Sequence, residues 1–438
     1  MIRIKRIFAL VAATLAVVGT MAQSNGSNSS YSRFGVGLLN DQSQGFNRGM
    51  SGVAQGFQNA KQVNMLNPAS YSAIDSLTFI FDVGMALQWG HLSDGSASAK
   101  ALNTSLEYIN AGLRLRRGLG LSFGFVPYST IGYNFTESRR VGSSYTTGQS
   151  ITSNITYYGN GGLHQLYLGM GWNPFAKLSI GANIAYLWGD YNHSLAQLFY
   201  EGGTSTTNYN TQNETWSSDL KTYKLDIGAQ YPIRLNKKNE LTLGATLGLG
   251  HTIGSKVELI RYTSKGDTIT NTASKAFDLP YTISAGASWK HNGQLTLGAD
   301  YTLERWNGCK VPMSESTLEA TTIAIATDQY MNRHRAAIGM DYIKDPLGTK
   351  YRHHIHYRAG ASYSTSYVKV NGNDGPKEYG LTLGAALPLT TKTLSVVNVA
   401  VEWKHRAPSV SGQIKENYLM LHLGVTFNEA WFMKFRFQ

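Results

Sequence analysis

From Leu77 onward the chain alternates. Leu77, Phe79, Phe81, Val83, Met85 and Leu87 fall on one parity, with Thr78, Asp82, Gly84 and Gln88 on the other. A period of two describes an extended strand with one apolar and one polar face. The signal recurs at Leu241, Leu243, Ala245, Leu247 and Leu249, interleaved with Thr242, Gly244, Thr246 and Gly248. It is still present near the C-terminus, where Leu419, Leu421, Leu423, Val425 and Phe427 oppose Tyr418, Met420, His422, Gly424 and Thr426. Fourteen strands are predicted, near 76–88, 104–116, 118–133, 163–173, 177–190, 218–233, 239–254, 276–291, 293–306, 329–343, 352–367, 376–389, 393–405 and 413–427.

The joints alternate in length. Those at 117 and 234–238 are short, whereas 134–162, 191–217, 255–275 and 307–328 are long. An even strand number with short turns at one end and longer loops at the other is the layout of an outer-membrane barrel. With both termini periplasmic, the long joints are extracellular. A soluble β-sandwich would carry dense Lys and Glu on its polar parity. Here that parity is rich in Gly, Ser, Thr and Asn, with isolated ionisable groups. Trp89, Trp172, Tyr186, Trp188, Tyr231, Trp289, Trp306 and Trp403 lie near strand ends and read as an interfacial girdle. The sequence therefore predicts an all-β fold: a 14-stranded antiparallel transmembrane β-barrel over 76–427. The polar segment 23–75 is expected to fold into the lumen as a hatch or plug, a periplasmic tail being the alternative. The aromatic-basic segment 428–438 is expected at the periplasmic rim.

Composition agrees with this reading. Charged residues are only 15% of 438, and Gly reaches 46. No apolar run beyond the N-terminus approaches the roughly 20 residues that span a bilayer as a helix. At the N-terminus Arg3, Lys5 and Arg6 precede the apolar stretch 7–18 and the small-residue boundary at Ala22, the pattern of a signal peptide over 1–22. Its removal takes the formal charge from +12 to +9. The expected location is the outer membrane of a Gram-negative bacterium, with membrane lipids as neighbours. The basic balance then reads as membrane-edge contact, with no nucleic-acid partner. Cys309, the single cysteine, excludes an internal disulfide and a Cys-based zinc cluster, and reads as an unpaired loop thiol.

The lumenal parity carries Asp82, Arg114, Lys224, Asp226, Asp300, Glu304, Arg335, Asp341, Arg358, Glu402 and Lys404. Mixed signs imply an ion-pair network and not a conduit of one charge. Of His353, His354 and His356 on a strand, only the last two share a face, too few for a metal site. No Gly-x-Ser-x-Gly elbow stands at a strand-to-helix turn, and His422 falls on the lumenal parity. No catalytic residue, cofactor or metal is expected, and the chain is not read as an enzyme. Pro127 interrupts a predicted strand, and a proline inside a closed wall implies either a local bulge or a side opening.

Two stretches carry a family resemblance. Arg48-Gly49-Met50-Ser51-Gly52-Val53, followed by Asn64-Met65-Leu66-Asn67-Pro68-Ala69 just before the first strand, resembles the N-terminal hatch of the FadL-like outer-membrane transporters. The stretch from Phe123 to Tyr133, with Phe125, Pro127, Tyr128 and Tyr133, is similar to that family's kinked third strand. The resemblance implies a hatch closed at Asn67, Pro68 and Ala69, and a lateral portal at Pro127. It implies passive uptake of a long-chain, fatty-acid-like hydrophobic ligand. One departure is that loops 191–217 and 255–275 are largely polar, so a second reading stands beside it. That reading is a non-transporting barrel in a secretion or assembly complex, with envelope proteins as partners.

Overall fold

The computed structural model describes residues 27–76, 78–95, 97–175, 177–206, 209–316, 321–389 and 395–429. The predicted signal peptide and residues 430–438 of the predicted tail lie outside the described residues; Asn428 and Glu429, expected in that tail, continue the last wall strand opposite Ile80 and Phe79. Fourteen antiparallel strands form the wall. They are β1 (Phe79–Ser93), β2 (Ser98–Arg116), β3 (Leu119–Pro127, continued by Ser129–Ser143), β4 (Ser150–Phe175), β5 (Leu178–Glu201), β6 (Gln212–Arg234) and β7 (Asn239–Gly248). The second half comprises β8 (Tyr281–His291), β9 (Leu295–Arg305), β10 (Arg333–Ile343), β11 (His356–Ser364), β12 (Lys377–Pro388), β13 (Val396–Ala407) and β14 (Lys415–Glu429). The sheet closes where β14 pairs with β1, from Phe79 opposite Glu429 to Ser93 opposite Lys415. Closure removes the unpaired edges that lipid cannot satisfy. The apolar parity faces outward, as at Leu102, Ile338 and Leu383.

The long joints differ from the expected loops. β3 and β4 run on to Ser143 and back from Ser150, and β5 and β6 extend to Glu201 and from Gln212. The 255–275 joint is a hairpin, Lys256–Thr263 with Thr268–Ser274, and 307–328 holds a second, Val311–Ser316 with Thr321–Ala326. These strands rise beyond the lipid-facing girdle, where neither face must be apolar, so the backbone ladder persists without alternation. Residues Tyr351–His353 form a 3-10 turn and β11 begins only at His356, so the three histidines do not share a strand. Trp306 is not a girdle residue: it is fully buried, its ring tilted against Tyr367 with centroids 4.6 Å apart. It joins Tyr133, Tyr191, Phe277 and Tyr330 in an apolar core with Val257, Leu259 and Val311 of the 255–275 and 307–328 joints, which are expected on the extracellular side.

Inside the wall, residues 27–76 run through a 3-10 turn (Ser30–Arg33), a two-residue strand (Leu38–Leu39), a helical turn (Gly45–Arg48) and a second 3-10 turn (Pro68–Ala73). The hatch backbone circles the lumen against wall glycines. Gly49 lies on Gly384 of β12, Met50 on Gly360 and Gly339, and Val53 with Phe57 on Gly298 of β9. Gln55 lies on Gly244 of β7, Pro68 on Gly228, Gly181 and Gly171, and Tyr71 on Gly120 of β3. A Cβ on Gly244 would overlap the Gln55 carbonyl, so the close approach requires glycine there.

Candidate functional site: a side opening backed by a pinned hatch

The wall is incomplete between β2 and β3. The lower part of β3 pairs with β2 only up to Phe125 opposite Ile109. Above Pro127, residues Ser129–Ser143 pair with β4 and with the hatch strand Leu38–Leu39, and not with β2. The upper part of β2, from Ser98, pairs with β1 alone. β4 follows the bend at Gly161 and Gly162, whose φ angles of 125° and 124° lie where only glycine is unstrained. Behind the gap is a cavity of about 580 Å³. Leu38, Leu39, Leu106, Phe125, Pro127 and Ile131 form its apolar side, and Asp41, Arg48, Glu107, Lys404 and Arg406 its charged side.

Of the residues expected at a portal, Pro127 and Phe125 line this cavity, with the Phe125 ring stacked on His164 at 5.5 Å. Tyr128 is buried and faces a smaller cavity of about 150 Å³ between hatch and wall. Tyr133 lies elsewhere, in the extracellular core, with its hydroxyl 2.6 Å from His193 Nδ1.

The hatch residues are held individually. Asn67 caps the Pro68–Ala73 turn: its Oδ1 accepts from the Ala69 amide at 3.2 Å, and its Nδ2 donates to the carbonyls of Gln55 and Ala229. This supplies a partner for an orphan N–H at a helix start. Proline at the first helical position needs no such partner. Pro68 and Ala69 meet Gly181 across a gap too small for a side chain. Arg48 pairs with Asp41 at 3.3 Å and with Glu107 of β2 at 2.7 Å.

From Arg48 a chain of ion pairs runs through the lumen. Glu107 accepts from His422 Nδ1 at 3.0 Å, and His422 Nε2 faces Glu402 at 3.0 Å. Both ring nitrogens can donate together only in the imidazolium. Lys404 lies 3.5 Å from both Glu402 and Glu378. Arg406 joins Glu378 at 2.9 Å to Glu416 at 3.0 Å, and Glu416 accepts from hatch Ser29 at 2.7 Å. At the other end Arg335 reaches Asp41 at 3.3 Å and the Ser51 carbonyl at 2.7 Å. Burial alone would raise the Asp41 carboxyl, but Arg48 and Arg335 hold it well below the usual carboxylate range.

The remaining lumenal residues act locally. Asp300 accepts the Ala54 and Gln55 amides at 2.6 and 2.9 Å, fixing a hatch turn. Asp226 pairs with Lys224, and Glu304 with Arg333 at 2.8 Å. Arg358 lies 3.6 Å from Asp341 and donates to Asn398 at 2.8 Å. Asp341 also meets His356 at 2.9 Å. Asp82 accepts from Thr426 at 3.1 Å and, among the described residues, makes no ion pair. Arg114 is outside the network: it sits at the periplasmic rim, with its Nε donating to the Arg116 carbonyl. The parity is right, but two residues from the strand's end the lumen gives way to water.

The alternation overlooked Asp41, Glu107, Glu378, Arg406 and Glu416. Glu378, Arg406 and Glu416 continue the lumenal parity of β12, β13 and β14, so following that parity to the strand ends would have found them. Glu107 could not be found this way. β2 bulges opposite the Gly84–Met85 step, pairing Tyr108 with Gly84 and Leu106 with Met85, and Glu107 is the extra residue between. Asp41 belongs to a segment with no period to read.

A closed 14-strand wall, an inner hatch and a broken third strand define an outer-membrane β-barrel of the FadL-like fold. The chain belongs to the BamG family, whose model matches residues 1–438. Among solved structures it is similar to a Pseudomonas aeruginosa FadL homologue (TM-score 0.62, 14% identity, covering 89% of this chain and 99% of that one). It is also similar to the Ralstonia pickettii toluene transporter TbuX (TM-score 0.59, 15% identity, 89% and 99% covered). A third is the CymD monoaromatic hydrocarbon channel (TM-score 0.58, 15% identity, 89% and 98% covered). No curated protein matches the chain.

Proposed function

We propose that the protein is a passive outer-membrane channel for hydrophobic small molecules, exchanging them between lumen and bilayer through the gap above Pro127. The observation that carries this reading is the missing pairing between upper β2 and upper β3, with a cavity of about 580 Å³ behind it. Leu38, Leu39, Leu106 and Phe125 offer an apolar surface there, and each buried CH₂ of a ligand gains about 0.8 kcal/mol. Loop rearrangement around the extracellular core admits the ligand and the side gap releases it. Movement of the hatch around Asp41 and Arg48 clears the cavity. Two of the similar structures are a toluene transporter and a monoaromatic hydrocarbon channel, which supports this reading.

A second reading is favoured by the ion-pair chain that pins the hatch to β2, β10, β12, β13 and β14. A barrel filled in this way suits a non-transporting subunit of an outer-membrane secretion or assembly complex with envelope protein partners. Purification in mild detergent followed by native mass spectrometry separates the two. Stoichiometric hydrophobic ligand is the result expected for a channel. Stoichiometric protein partners without ligand would overturn it in favour of the second reading.

A further inference from the structure

Resting on the channel reading, we infer that the side cavity selects uncharged amphiphiles, a hydrocarbon tail with a hydroxyl or amide head, and discriminates against carboxylates such as fatty acids. Three cations of Lys or Arg type line the cavity: Arg48, Lys404 and Arg406. Each already faces two carboxylates. Arg48 is paired with Asp41 and Glu107, Lys404 with Glu378 and Glu402, and Arg406 with Glu378 and Glu416. An incoming carboxylate would have to displace one of these partners or stand unpaired beside them, and an unpaired charge out of water is costly.

The spare hydrogen-bonding capacity of the cavity is neutral. Gln88 of β1, Thr104 and Ser105 of β2, and Asn160 of β4 all line it. Among the described residues their side chains make no hydrogen bond, in contrast to Asn40, which is spent on Thr130 at 3.0 Å. Hydroxyls and amides can both donate and accept, which matches an alcohol, ester or amide head and not an ionised one. A site whose charges are mutually satisfied and whose free partners are neutral discriminates by leaving the wrong head unmatched.

The test is equilibrium binding of radiolabelled 1-dodecanol and laurate to the full-length protein in a non-ionic detergent at about pH 8, where an ordinary imidazole is uncharged. Dodecanol is expected to bind at least about tenfold more tightly. The double variant Thr104→Val, Ser105→Ala should lose that advantage with laurate unchanged. Glu107→Gln should shift the preference toward laurate by freeing Arg48, with heat-modifiable gel mobility confirming that each variant is a closed barrel. Equal or tighter binding of laurate to the unaltered protein overturns the inference and leaves the channel reading standing. Absence of binding by dodecanol, laurate and dodecane alike overturns both.

Discussion

Arg48 of the hatch reaches Glu107 of β2 across 2.7 Å, and Glu107 faces the lumen only because β2 carries one residue more than β1 at that point. The side chains are 6% and 8% exposed, so each depends on the other for its compensation. Removing one partner of a buried pair strands the other, at a cost of about 3–5 kcal/mol. Glu107→Ala is therefore expected to lower the urea midpoint of hatch release, read as protease susceptibility between Ser27 and Asp75. Glu107→Gln, which keeps an acceptor, should lose less.

The glycine track under the hatch makes a steric prediction. Gly244→Val places a side chain where the Gln55 carbonyl lies and is expected to lift the hatch off β7. The barrel ladder should survive, because the substitution faces the lumen and valine favours strands. Single-channel conductance in planar bilayers should rise. Gly254→Ala, with no heavy atom within 4 Å of the added Cβ, should conduct like the unaltered protein.

Strand number, parity and closure were legible because lipid imposes one rule on every wall residue: alternate faces must be apolar. That rule lapses in three places, where alternation carries no information. Above the membrane, β3 to β6 extend on the backbone ladder without a period-two pattern, so the sequence reads as loops. At the Glu107 bulge, parity itself is reset. In the hatch, placement follows complementarity to wall glycines, which no local period encodes. Pro127 marked the break in β3, but the bend also needs Gly161 and Gly162 on the neighbouring strand, and only the ladder shows those three together.

Deleting residues 23–75 removes the hatch and one member of the Arg48–Glu107 pair. Single-channel conductance is expected to rise above that of Gly244→Val, since the whole obstruction is gone. An unchanged value would show that the extracellular core, and not the hatch, limits flow.

Cys309 is buried in the extracellular core at 8% exposure, and burial pushes its thiol up to about 11. The thiolate is the reactive species, so at about pH 8 its population is some hundredfold below that of an ordinary thiol near 8.5. Maleimide labelling of the folded protein is expected to be slower by at least that factor than in urea. Equal rates would place the thiol in water.

Asp41 ties pH to the hatch. Its carboxyl is depressed in the folded protein, despite burial, by Arg48 and Arg335. A depressed acid contributes stability above its unfolded value, near 3.9, and that contribution is lost as pH falls through the folded value. Hatch protection against proteolysis should therefore show no loss from this residue between about pH 7 and pH 5, and its share should disappear only in stronger acid. Asp41→Asn should reproduce the acid effect at neutral pH by leaving Arg335 with the Ser51 carbonyl alone and Arg48 with Glu107. If Asp41→Asn protects the hatch as well as the carboxylate does at neutral pH, the ion pairs at Asp41 do not hold it in place.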